Sequence, residues 1–186
     1  MFSEDYLMRI INQATAALMT AIGLRKKGKY SEARQAIRQA IEQLMNLPAN
    51  IVDQMEDGSI LAALTTQDAL DTGRLAILAD LYQEDGEILL KQGHPAQANA
   101  AFARSLRFLL EVALSEASGL TPGITGKVGP LIQRLPAGDL PVDTRLALSD
   151  YYRRLLELDD QGLAAAGASR QQVNRALAKL EELPGD

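Results

Sequence analysis

Three carboxylates, Asp80, Glu84 and Glu87, fall three or four residues apart on one helical face and could face a ligand. Like charges at i,i+4 cost a helix about 0.2–0.5 kcal/mol, so the pattern is either a solvated face or an unfavourable arrangement kept for binding. The solvated face is the simpler expectation. A second sign of chemistry is GLTPGITGKVGP, in which Gly126 and Lys127 echo a phosphate-binding loop. Such a loop needs Gly, four residues, then Gly-Lys-Ser/Thr, so that backbone amides wrap the phosphates and a hydroxyl meets magnesium. Here Thr121 and Val128 occupy the positions of the first glycine and the hydroxyl, and the segment reads as a linker. His94 is the sole histidine and sits in a turn before a helix; with no cysteine in the chain it anchors no recognisable zinc site. Neither a nucleophile–base pair nor a cofactor fingerprint can be named, so no catalytic residue, metal or cofactor is expected.

The one dense basic cluster is Arg25, Lys26, Lys27 and Lys29, with Arg34 and Arg38 a turn apart further on. At a helix end these cations complement the dipole and keep the chain soluble. The sharper alternative is a groove for an acidic peptide or a terminal carboxylate.

The bulk properties bound the function. A chain of 186 residues suffices for one well-buried domain or two small halves sharing a core, and one compact unit over 1–186 is expected. The formal charge of −5 argues against a general attraction to nucleic acid or to an anionic membrane, because counterion-release binding needs a basic surface. The absence of cysteine leaves the redox compartment open. MFSEDYLMRI carries Glu4 and Asp5 where a secretory signal needs basic residues, and no apolar run approaches a membrane span in length. A cytoplasmic location follows as the default.

The elements that must position these groups are helices. Tyr6, Leu7, Ile10, Ile11, Ala14, Ala17, Leu18, Ala21 and Ile22 recur at helical spacing, which predicts a helix from about Ser3, as its N-cap, to Lys27, with Gly28 as the stop. A second helix begins near Ser31 and brings Ala33, Ile37, Ala40, Ile41 and Leu44 to one face. Two short helices split by Gly58 and capped by Asn50 and Ser59 follow. A longer helix then ends at Lys91, burying Leu75, Leu78, Ala79, Tyr82 and Leu89. After Pro95, suited to a first helical turn, Ala98, Phe102, Leu106, Leu109 and Ala113 form another core stripe. Residues 118–141 concentrate glycine and proline and are expected to be loop and a hinge, with at most a short helix near Leu131 to Leu135. A last hairpin, 142–184, runs from Asp143 to about Leu163 and then, behind a Ser169/Gln172 capping box, through Val173, Ala176, Leu177 and Leu180.

GKYSEARQAI at 28–37 returns in altered form as GHPAQANAAF at 93–102. A small residue followed four later by a bulky one, Ala33 with Ile37 and Ala98 with Phe102, resembles the tetratricopeptide repeat, whose two helices cross closely there. Gly28, Tyr30, Glu32 and Ala40 in the first copy, and Gly86, Gly93 and Leu106 in the second, match turn and helix positions of that family. The copies begin at Gly28 and Gly93, nearly twice the roughly 34-residue period, so an insertion separates them. Ala21 and Leu24 stand where the pattern prefers Gly and Tyr, and Pro95 replaces the turn Tyr. DTGRLAILADLY and DTRLALSDYY form a second echo, hinting at a degenerate third repeat. SEDYLMRIINQ followed by GLRKKGKYSEA also resembles a group of small bacterial proteins of uncharacterised function related to tetratricopeptide folds.

The resemblance implies an all-α fold of antiparallel helical hairpins, at about 3–46 and 66–116, in a tetratricopeptide-like superhelix. It also implies a non-catalytic scaffold that binds a protein or peptide along the face carrying Leu18, Ile22, Arg25, Lys26, Gln83, Glu87 and Lys91. The competing reading is a small-molecule binder or enzyme that uses Asp80, Glu84 and Glu87 with 118–141 as a lid. Beyond its stripe the first helix carries Phe2, Met8, Met19 and Leu24, more apolar surface than one neighbour covers. A homodimer paired through Tyr6, Leu7 and Ile10 is therefore expected.

Overall fold

A computed structural model describes residues 4–66, 68–115 and 120–183 and is all-α, with ten α-helices and one two-residue β-ladder among the described residues. In order these are α1 Glu4–Lys26, α2 Tyr30–Met45, α3 Ala49–Gln54, α4 Asp57–Ala63, the antiparallel strands β1 Thr65–Thr66 and β2 Ala69–Leu70, α5 Thr72–Lys91, α6 Pro95–Leu114, α7 Pro122–Arg134, a 3-10 turn Ala137–Asp139, α8 Val142–Leu156, α9 Asp160–Ala165 and α10 Arg170–Glu181. The chain divides into two compact units, Met1–Ser105 and Leu106–Asp186, with the boundary inside α6. The expected N-cap Ser3 lies outside the described residues.

In the first unit α1 and α2 form a hairpin on which α5 packs. Gly28 turns the chain at φ +75°, where it donates to the Arg25 carbonyl while the Lys29 amide reaches back to Leu24, satisfying carbonyls that the helix end would strand. All the predicted core positions of α2 are buried, from Ala33 to Leu44, as are Leu75, Leu78, Ala79, Tyr82 and Leu89 of α5. At Gly86 a Cβ would stand 2.5 Å from the fully buried ring of Phe102, so α5 and α6 cross at a distance that only glycine permits.

The segment between the hairpins departs from expectation. Gly58 lies within α4, and the break falls at Met55 and Glu56. Asn50 and Ser59 are helical residues; the caps are Pro48 and Glu56. The first amide of α3 is satisfied from elsewhere, by the Glu42 carboxylate of α2 accepting from Ala49 N at 3.0 Å. Arg104 of α6 fastens the α3–α4 corner, donating to the Met55 carbonyl at 2.7 Å and the Asp57 carboxylate at 2.8 Å, with its guanidinium 5.3 Å above the Tyr82 ring.

In the second unit Phe108, Leu109, Leu110 and Ala113 of α6 are fully buried. The described part of 118–141 is not mainly loop. Pro122 occupies the first turn of α7, where its missing amide costs nothing, and Thr125, Val128 and Leu131 recur every three residues as a buried stripe. Burial of that stripe overrides the glycine content. The helix begun at Val142 ends at Leu156, short of Leu163, because Asp159 caps a separate short helix by accepting from Gly162 N at 2.7 Å. The Ser169/Gln172 capping box opens α10 as expected.

Candidate functional site

The surface singled out by sequence is the face of α1 and α5. Ile10, Ala14 and Ala21 are buried where α1 packs into the first unit. The next side of the helix, with Leu18, Ile22 and Arg25, is half-buried, as are Gln83 and Glu87 of α5, whereas Lys26 and Lys91 are exposed. At the end of this face Arg25 grips Glu84 with two hydrogen bonds, Nε to Oε1 at 2.5 Å and Nη2 to Oε2 at 3.3 Å. Glu84 is 6% exposed, so a lone carboxylate there would carry a heavy desolvation cost that the guanidinium offsets. The hydrogen bond to Glu84 pushes the Arg25 pKa up and outweighs burial, which lowers it, while the nearby Glu87 charge adds to the rise.

The solvated acidic face is therefore corrected: Asp80 and Glu87 are half-buried and Glu84, between them, is an internal ion-pair partner. The basic cluster is largely committed as well. Arg34 holds Asp85 through two bonds, at 2.7 and 3.3 Å, Arg38 holds Asp53 at 2.9 Å, and Lys29 lies 3.2 Å from Glu32. An open trough of about 450 Å3 runs beside Ser31, Arg34, Arg38 and Gln92, but both of its guanidiniums already have carboxylate partners. His94 is an exposed turn residue whose backbone amide donates to Leu89 and whose carbonyl accepts from Ala98. Gly126 and Lys127 sit within α7, so their backbone amides are spent on the helix and wrap no phosphate. Among the described residues no group of three or more His, Asp or Glu side chains is placed to hold a metal ion.

The free apolar surface of α1 lies elsewhere than at the three residues expected to pair. Ile10 is buried within its own chain, and Tyr6 and Leu7 are half-buried. Phe2 is outside the described residues. Met8 and Met19, by contrast, are 52% and 64% exposed. Of the polar residues on this side, Thr15 Oγ1 donates to the Ile11 carbonyl at 2.9 Å and Thr20, just past Met19, to the Ala16 carbonyl at 3.0 Å, while Arg9, Asn12 and Gln13 are exposed. These two hydroxyls are satisfied by the helix itself, so they add little polarity beside the methionines. Neither threonine was singled out by the hydrophobic pattern, although Thr in a helix interior signals this back-bonding.

By length and composition α1 is also long and apolar enough to cross a membrane, contrary to the reading of the bare sequence, and only 11% of its most apolar stretch is buried. No family model matches the chain, and no curated protein or solved structure matches it.

Proposed function

We propose that this chain is a non-catalytic helical scaffold that binds protein along the free face of α1, with a second copy of itself as the first occupant. The observation that carries the reading is the pair Met8 and Met19, exposed three turns apart on a helix whose Thr15 hydroxyl, between them, is turned back onto its own Ile11 carbonyl. Methionine adapts its shape to a partner surface, and an apolar helical face is what a partner helix covers. Exposed Lys26 and Lys91 supply cations beside it for an acidic peptide, with the half-buried Leu18, Ile22, Gln83 and Glu87 as the adjoining floor.

A tetratricopeptide-like arrangement of the first unit belongs to the same proposal. It is supported by burial of Ala33 with Ile37 and of Ala98 with Phe102, and by the glycine-limited crossing of Gly86 on Phe102. A protein partner is favoured over a bilayer because Ile10, Ala14 and Ala21 are committed to the packing of the first unit. Inserting α1 into a membrane would strip cover from Ala33, Ile37, Ala40 and Ile41 of α2.

Gel filtration coupled to light scattering tests the self-pairing. The wild-type chain is expected at twice its 20.1 kDa mass, and Met8→Asp with Met19→Asp at 20.1 kDa with helicity kept, since both side chains are exposed. Ile10→Asp is unsuitable because it would put a charge into the core. A wild-type mass of 20.1 kDa throughout the micromolar range would reject the dimer.

A further inference from the structure

The second unit holds a pocket of about 220 Å3, open to solvent on one side, between α7, α8, the 166–168 connection and α10. Tyr151 and Tyr152, consecutive on α8, both line it, with ring centroids 5.9 Å apart. The residues are 3% and 8% exposed, and neither hydroxyl is among the enclosed side-chain atoms that lack a partner, so both open onto the pocket. The rest of the wall is mostly apolar, including Ile132, Leu155 and Val173, with Thr125, Gln133 and Gln172 as its polar residues and no charged side chain. Gln172 uses its carbonyl oxygen on Ser169, which leaves its amide hydrogens unspent.

We propose that this pocket binds a small, uncharged, ring-containing molecule that presents a hydrogen-bond acceptor to the Tyr151 and Tyr152 hydroxyls. No lining residue is charged, so an anion or cation would give up part of its hydration with no counter-charge to offset it. A pocket of about 220 Å3 has room for one substituted ring. Burial pushes the pKa of both phenols up, and for Tyr151 the neighbouring Tyr152 adds to the rise, so both remain protonated donors at physiological pH. Gly129 of α7 opens onto the same space, and a Cβ built there meets nothing within 4 Å. A larger side chain at Gly129 would therefore occupy the pocket without a backbone clash.

Ligand-observed magnetic resonance titrations of the full chain test the site with three probes: acetophenone, with one ring and one carbonyl, ethylbenzene, which lacks the acceptor, and benzoate, which is charged. Acetophenone is expected to saturate one site and to bind more tightly than ethylbenzene, with benzoate excluded. Combining Tyr151→Phe with Tyr152→Phe should weaken acetophenone about fivefold, the usual worth of one hydrogen bond, and leave ethylbenzene unchanged. Gly129→Leu, with helicity confirmed by circular dichroism, should abolish both. The proposal is overturned if acetophenone fails to saturate, if it binds no better than ethylbenzene, or if its binding survives Gly129→Leu.

Discussion

Replacing Gly86 with alanine probes the closest approach in the first unit. The added methyl would lie 2.5, 2.7 and 2.8 Å from three ring carbons of Phe102, against a comfortable carbon–carbon separation of about 3.5–4.0 Å. Either the ring or the helix must yield by roughly 1 Å, and Phe102 is fully buried, so its ring cannot swing out to solvent. Overpacking of this kind costs about 1–3 kcal/mol, while alanine regains up to about 1 kcal/mol of helix propensity. The expected net loss is about 1–2 kcal/mol, or several degrees in Tm for a unit of this size. Gly23→Ala is the reference: nothing lies within 4 Å of its Cβ, and it should stabilise by about 0.5–1 kcal/mol. Urea unfolding read by circular dichroism gives both numbers, and amide exchange in α5 assigns the transition to the first unit. Adding Phe102→Leu should relieve part of the Gly86→Ala penalty, giving a coupling of about 1 kcal/mol. If Gly86→Ala stabilised the chain as Gly23→Ala does, the close crossing would be refuted.

Two further outcomes are expected. Burial pushes the Tyr82 phenol from its usual 10 to about 12, outweighing the charge and hydrogen bond of Arg104, which pull it down. Because the folded state holds this proton more tightly, its contribution of about 2–3 kcal/mol is complete below about pH 10 and lost as the pH rises to about 12. Exchange rates of first-unit amides against pH should show that decline, and Tyr82→Phe should flatten it; a flat wild-type profile would count against the burial. Ser169→Ala removes the hydroxyl that caps α10 and should cost about 1 kcal/mol, seen as faster amide exchange confined to the first turn of that helix.

The core stripes were legible because apolar spacing is a local signal. Ala98, Phe102, Leu106, Leu109 and Ala113 are each fully buried, as their period predicts. The α7 helix was hidden by its glycines and prolines, which read as turn formers, although Thr125, Val128 and Leu131 already carried a helical repeat. The caps of α3 and α4 could not be read locally: the amide of Ala49 is met by Glu42, on a different helix. For the same reason Glu84 looked like one of three solvated acids, since its partner Arg25 lies far away in sequence. The adjacent Tyr151 and Tyr152 gave no hint of a shared pocket, because only the packing of α7 and α10 around α8 creates one.

The claim that α1 is a protein-docking face is tested most directly by site-specific photo-crosslinking in cells producing the full chain. A photoreactive residue would replace Met8, Met19 or, as a control, the exposed Glu32 on α2. Discrete protein adducts from positions 8 and 19, dominated by the chain's own dimer and missing from position 32, are the predicted result. Equal adduct patterns from all three positions, or lipid adducts alone from 8 and 19, would contradict it.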